Sequence, residues 1–264
     1  WKPDERLEVR IIIAGEKDRD GGTVFTDLKA LRKSPHETQQ DFGGSSSRDL
    51  IMPTLQVIYH ADAFDFTSTT GYVGWKTAIA SDLDYTSAPL IRQLNQEQMH
   101  TWTQEFHMAN PVNEPVTLND ELKLSWQAGM MLFHNDYRQN IQNSFPTVPI
   151  PYPRSSQSEL NQVGLGTFTQ GTLIWKERLS LTAGLRWDFE KKAIHSQTSS
   201  ITFVNPSQQF KANQLFNQVT PQMAIGYEFS PNLMSYLSFT SGYKAGGFNA
   251  IGPQEYDEKR SQNY

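Results

Sequence analysis

From residue 216 to residue 249, apolar and polar residues alternate with a period of two. Val219, Pro221, Met223, Ile225, Tyr227 and Phe229 share one parity, and Thr220, Gln222, Ala224, Gly226 and Glu228 share the other. Alternate residues of an extended chain point to opposite faces, so this pattern predicts a strand with one apolar face. Ser230-Pro231-Asn232 turns the chain. Residues 233–244 return as a second strand, with Leu237 and Phe239 in phase and Gly246-Gly247 at its exit. The pair reads as an antiparallel hairpin, tight at one end and open at the other.

The same unit recurs along the chain. Residues 6–14 alternate through Leu7, Val9, Ile11 and Ile13. Strands at 50–60 and 64–76 flank a turn at Ala61-Asp62-Ala63, and strands at 100–110 and 121–136 flank a looser turn at 111–120. Strands at 162–175 and 179–190 flank Lys176-Glu177-Arg178. The patterns are cleanest at Leu122, Leu124, Trp126, Ala128, Met130 and Leu132, and at Leu179, Leu181, Ala183, Leu185, Trp187 and Phe189. Between the hairpins lie polar segments at 15–49, 77–99, 138–161 and 191–215, which read as long exposed loops. The first holds Asp20-Gly21-Gly22 and Gly43-Gly44. In the third, Pro146, Pro149, Pro151 and Pro153 argue against regular structure.

Composition changes the picture in one respect. With 37% hydrophobic residues and a mean hydropathy of -0.56, the chain is too polar for a helical membrane protein, and no apolar run reaches the ~18 residues of a spanning helix. Strands with one wet and one apolar face average to such values, whether in a membrane barrel or in a soluble sandwich. A net charge of -5 argues against a nucleic-acid partner, and the lack of cysteine excludes a disulfide framework and a cysteine zinc site. There is no initiator methionine or signal peptide, and Trp1 falls within a turn, so the stretch is expected to be part of a longer chain.

Strand length and loop order separate barrel from sandwich. The strands run to ~10 residues or more, as a tilted strand crossing a bilayer requires, against ~5 to 6 in soluble sheets. Connections alternate strictly between short turns and long loops, the arrangement of an outer-membrane barrel with periplasmic turns and extracellular loops. The expected fold class is therefore all-β: a partial antiparallel transmembrane β-barrel of about nine strands.

At this point the residues carry a family resemblance. The stretch VTPQMAIGYEFSPNLMSYLSFTSGYKAGGFN resembles the barrel of TonB-dependent outer-membrane receptors at Thr220, Pro221, Tyr227, Ser230, Pro231, Tyr236, Ser241, Gly242, Tyr243, Lys244, Gly246, Gly247 and Phe248. TWTQEFHMAN at 101–110 is similar to another family strand through Gln104, Glu105 and Met108, with His107 where arginine is usual and Asn110 where serine is usual. Residues 122–133, with Trp126, Ala128 and Gly129, and residues 181–188 resemble two further strands. The resemblance implies a plugged barrel of about 22 strands in the outer membrane of a Gram-negative bacterium. It implies import of ferric siderophores or another iron chelate, no enzymatic activity and no cofactor beyond the ferric chelate carried as ligand. It further implies that residues 1–264 are barrel wall, that the plug domain with its TonB-contacting segment and the closing strands lie outside this stretch, and that the stretch alone does not insert as a stable barrel. Outer-membrane lipid, TonB and a small iron-siderophore ligand are the expected partners.

Candidate chemistry is sparse. Glu105 and His107 share a parity expected to face the lumen, and His134 with Asp136, and Asp188 with Glu190, are further i, i+2 pairs on one strand face, where such carboxylates are expected to be solvated or paired with cations such as Arg186, itself a loop or lumen candidate. Lumen walls are lined with such groups in any case, so a metal role for Glu105 and His107 is disfavoured. No nucleophile elbow, zincin helix or phosphate loop is present. Tyr85, Tyr137, Arg138, Tyr152, Arg154, Tyr243, Lys244 and Phe248 lie in or beside the long loops, where aromatic and cationic groups suit an anionic iron chelate. A passive porin-like channel and a soluble β-sandwich binding domain or enzyme are the alternatives.

Overall fold

The computed structural model describes residues 1–22, 25–26, 28–111, 114–147, 154–199, 207–250 and 254–264. The chain forms strands β1 (Leu7–Gly21), β2 (Ser45–His60), β3 (Asp65–Asp82), β4 (Arg92–Ala109), β5 (Val116–Asn119), β6 (Leu122–Ser144), β7 (Arg154–Trp175), β8 (Leu179–Ser199), β9 (Gln208–Ser230) and β10 (Leu233–Lys244). Short pieces β11 (Gly247–Phe248), β12 (Glu255–Tyr256) and β13 (Lys259–Asn263) follow, and the one helix among the described residues, α1 (Leu28–Lys33), lies between β1 and β2. One antiparallel sheet runs in the order β1-β2-β3-β4-β6-β7-β8-β9-β10-β13, with β5 beside β6 and β11 paired to β12. Consecutive long strands are neighbours, as the alternation of turns and loops predicts.

Three of the four expected long loops are mostly strand, and the first, 15–49, keeps a long connection between its two strand ends. Segments 15–49, 77–99, 138–161 and 191–215 shrink to connections at 22–44, 83–91, 145–153 and 200–207, because the strands continue well past the apolar pattern. Strands β6 and β9 reach 23 residues each, about 75 Å along the strand and more than twice the ~25 Å apolar band. Beyond the bilayer both faces are wet and the apolar alternation lapses, yet the ladder hydrogen bonds continue. Of the four prolines, Pro146 sits in the β6–β7 connection; Pro149, Pro151, Pro153 and Tyr152 lie outside the described residues.

At the opposite end the turns are short, as predicted. Arg178 N–H donates to Trp175 O across Lys176 and Glu177, both at positive φ (50° and 57°), so this turn is type I′ without a glycine. Prolines inside strands leave marks. No pairing joins β2 to β3 at Pro53, and β9 pairs with β10 only as far as Gln222 opposite Thr240, next to Pro221. On its other edge β10 pairs with β13 from Thr240 to Lys244.

The registers of the long strands β1-β2-β3-β4-β6-β7-β8-β9 run without a slip, so each parity forms one continuous face. Ile11, Leu55, Leu132, Val163, Leu185, Trp187, Val219 and Met223 all lie on the same face and are solvent-exposed. A soluble sandwich would pack this face against a second sheet; here it lies bare, far beyond the apolar patches of soluble monomers. Lipid is the solvent that suits it. Its polar members Ser68, Thr70 and Gln104 bond one another, Thr70 to Gln104 at 2.6 Å and Gln104 to Ser68 at 3.0 Å, so the groups that lipid cannot hydrate are partnered. The buried side chains Ile141, Ile194, Phe216, Ser158, Ser196 and Gln139 belong to the other, inner face.

Candidate functional site

The inner face carries two polar rows at the level of the apolar band. One runs Thr69, Glu105, Met131, Gly166, Asp188, Gln218, and the next Thr67, His107, Gly129, Phe168, Arg186, Thr220. Glu105, His107 and Arg186 thus face inward, as their parity predicts. Arg186 grips Asp188, with Nε 2.8 Å from Oδ2 and Nη2 2.6 Å from Oδ1. Gly166 makes room for this pair: a Cβ there would stand 2.6 Å from Arg186 Nη2 and 2.9 Å from Asp188 Oδ1. His107 Nε2 meets Gln127 Oε1 at 3.2 Å and the ring stacks on Phe168. That is a satisfied wall histidine; among the described residues no acidic or histidine group converges on it or on Glu105 as a metal set. Asn110 is structural. Its Oδ1 accepts the Trp126 N–H at 2.7 Å and its Nδ2 donates to Pro111 and Glu114 carbonyls, closing the β4–β6 connection.

Above the band, Tyr137 faces inward and donates to Glu97 Oε2 at 2.8 Å. Burial, and then the neighbouring Glu97 carboxylate, push the Tyr137 phenol well up from its usual range. Arg154 stands exposed at the start of β7, at the end of the sheet opposite the short turns. Arg138 departs from the expected lumen wall. Its register row, with Lys76, Gln98 and Glu159, continues the parity of Leu132 and His134, so it points outward. There it pairs with Glu159 at 3.7 Å in an open cleft of about 500 Å³ shared with Asp49 and Lys76.

The glycine-rich exit of β10 also behaves differently from an open loop. Phe248 is 6% exposed and meets the Phe210 ring edge-on, so it packs rather than awaits ligand. Residues 246–250 lie along the inner face: Ser158 Oγ donates to Ala250 O at 2.6 Å, and Lys192 Nζ to Gly246 O at 2.8 Å. Gly246 permits this approach, since a Cβ there would lie 2.3 Å from Tyr256 O. Lys244 is exposed, and the Tyr243 hydroxyl is buried with no hydrogen-bond partner among the described residues.

Tyr85, at φ 54°, sits at the tip of the β3–β4 connection against the edge of Phe25. Beside it is a group that the strand pattern does not single out: Asp41, Asp82 and Asp84, whose carboxylates converge. The Asp82-Leu83-Asp84-Tyr85-Thr86 spacing is its one trace in the sequence, and Asp41 lies 41 positions earlier. The Thr86 hydroxyl, followed by backbone N–H groups, holds the Asp84 carboxyl below its usual range.

An all-antiparallel sheet with one lipid-suited face, a polar inner face and a segment folded against that inner face has the make-up of wall from a transmembrane β-barrel. The chain belongs to the TonB-dependent receptor-like β-barrel family, whose pattern matches residues 14–263. Its fold is similar to that of the ferric yersiniabactin uptake receptor FyuA from Yersinia pestis, at TM-score 0.77 and 17% identity over 97% of this chain and 38% of that one. The siderophore receptor PiuA from Acinetobacter baumannii aligns at 0.65 and 12% over 92% and 40%. The ferric preacinetobactin receptor BauA, also from Acinetobacter baumannii, aligns at 0.58 and 12% over 99% and 42%. The chain thus spans about two fifths of the length of these receptors.

Proposed function

We propose that this chain is wall of a TonB-dependent outer-membrane receptor that imports an iron chelate, most simply a ferric siderophore, without covalent chemistry. The observation that carries the reading is the family match over nearly the whole chain, on a sheet whose one face suits lipid and whose other is polar and partly covered. The names of the similar solved receptors support iron chelates as cargo. In this reading a plug fills the lumen and meets TonB, and the paired Arg186 and Asp188 form part of the polar wall against which plug and cargo rest. Tyr85, Tyr137 and Arg154 remain candidate ligand contacts on the extracellular side. Phe248 and Arg138 drop out, one packed and the other outward.

Growth of a deletion strain under iron limitation on a panel of ferric chelates tests this. Loss of growth on one chelate, restored by the gene and dependent on TonB, is expected. Unchanged growth on every iron source refutes the cargo. Ion conductance through the purified full-length protein in a planar bilayer would point instead to a passive channel.

A further inference from the structure

We propose that Asp41, Asp82 and Asp84 form a binding site for a hard divalent cation, calcium by the donor set, which pins the connection between β1 and β2 to the tip of the β3–β4 hairpin on the extracellular side. One oxygen from each carboxylate lies within 4.8 Å of the others. A set of carboxylate oxygens offered by the protein suits calcium, which takes oxygen ligands in a flexible geometry, whereas magnesium demands a near-ideal octahedron, dehydrates reluctantly and usually keeps several waters.

The second observation is the state of the oxygens. Asp82 is 2% exposed. Its Oδ1 accepts the N–H groups of Asp84 and Tyr85, while Oδ2 is buried with no hydrogen-bond partner among the described residues. Asp41 repeats the arrangement: Oδ2 takes Arg92 Nη2 at 2.6 Å, and Oδ1 is buried without a partner. Asp84 is turned into the group by Thr86, whose hydroxyl donates to Oδ1, and by the Ile91 N–H on Oδ2. Among the ion pairs of the described residues, one guanidinium, that of Arg92, meets the three carboxylates, so negative charge is in excess there. Buried carboxylate oxygens without a donor are costly, and a divalent cation supplies both the missing charge and the missing partner. The Asp41 N–H also donates to Thr86 O, so the two connections already touch where the cation would join them.

The proposal stands apart from the transport reading, since it concerns binding to the purified receptor and not uptake. Calcium is titrated calorimetrically into the full-length receptor in detergent, with magnesium in a parallel arm, for the wild type, Asp82→Asn, Asp84→Asn and the periplasmic-turn control Asp62→Asn. The expected result is saturable calcium binding in the range of ~10⁻⁴ to 10⁻³ M typical of extracellular modules. It should weaken at least tenfold in Asp82→Asn and Asp84→Asn, persist in Asp62→Asn, and exceed magnesium binding. Trypsin cleavage after the exposed Arg32 and Lys33 of α1 should slow with calcium and recover with chelator in the wild type only. No saturable calcium binding in the wild type, or binding that is the same in both aspartate variants, overturns the proposal. Magnesium binding as tightly as calcium overturns the choice of ion.

Discussion

Leu185→Arg tests the assignment of faces. On β8 the apolar parity runs from Leu179 to Phe189, ten steps of ~3.3 Å, which at a tilt of ~40° give about 25 Å, the height of an apolar band. Leu185 falls close to its middle, and its register neighbours Thr169 and Pro221 offer no carboxylate. A guanidinium there should cost about 2 to 4 kcal/mol, roughly a 30- to 900-fold drop in the folding equilibrium. Gln218→Lys is the matched control: it adds a cation on the inner face, in register with Asp188, and should stay within about 0.5 kcal/mol of the wild type. Leu185→Ala separates loss of bulk from gain of charge. The assay is denaturant unfolding of the full-length receptor from phospholipid vesicles, followed by tryptophan fluorescence. Equal costs at 185 and 218, or a Leu185→Arg cost below about 1 kcal/mol, would show that this face does not meet lipid.

Two further predictions follow from contacts above and inside the wall. Tyr137→Phe removes the hydrogen bond to Glu97 and should cost about 1.5 kcal/mol, the lower end for a bond to a charged group at a half-buried site. Because the folded-state pKa of Tyr137 is raised, its contribution is fully present below the ordinary tyrosine value of ~10 and declines as pH rises beyond it; the variant should lack one late-titrating phenol in absorbance at high pH, and an unchanged titration would count against the buried pair. Gly246→Val drives a side chain into the Tyr256 carbonyl and Asp257, so residues 246–250 should lift from the inner wall; faster hydrogen exchange across that segment and at Ser158 is the expected signal, and unchanged protection would refute the close approach.

The sequence by itself determined the sheet. Period-two alternation placed nine strands in order, set which parity is apolar, and located the turns at 61–63, 176–178 and 231–232, because within the bilayer each strand must separate lipid from lumen residue by residue. Where that demand ends, so does the signal. Residues 15–21, 77–82, 92–99, 138–144, 154–161 and 191–199 are strand by virtue of their neighbours' ladders, and no local pattern marks a strand that is wet on both faces. Side-chain destinations beyond the band were likewise tertiary. Phe248 turns inward because two glycines let its backbone reach Tyr256 and bring it to Phe210. Arg138 turns outward because an unbroken register carries the parity of Leu132 six residues further. The acidic trio joins Asp41 to Asp82 and Asp84 only once the β1–β2 connection crosses the β3–β4 tip. Alternation is a local consequence of the solvent on each face; convergence of distant oxygens depends on how connections fold over strand ends, which no periodicity encodes.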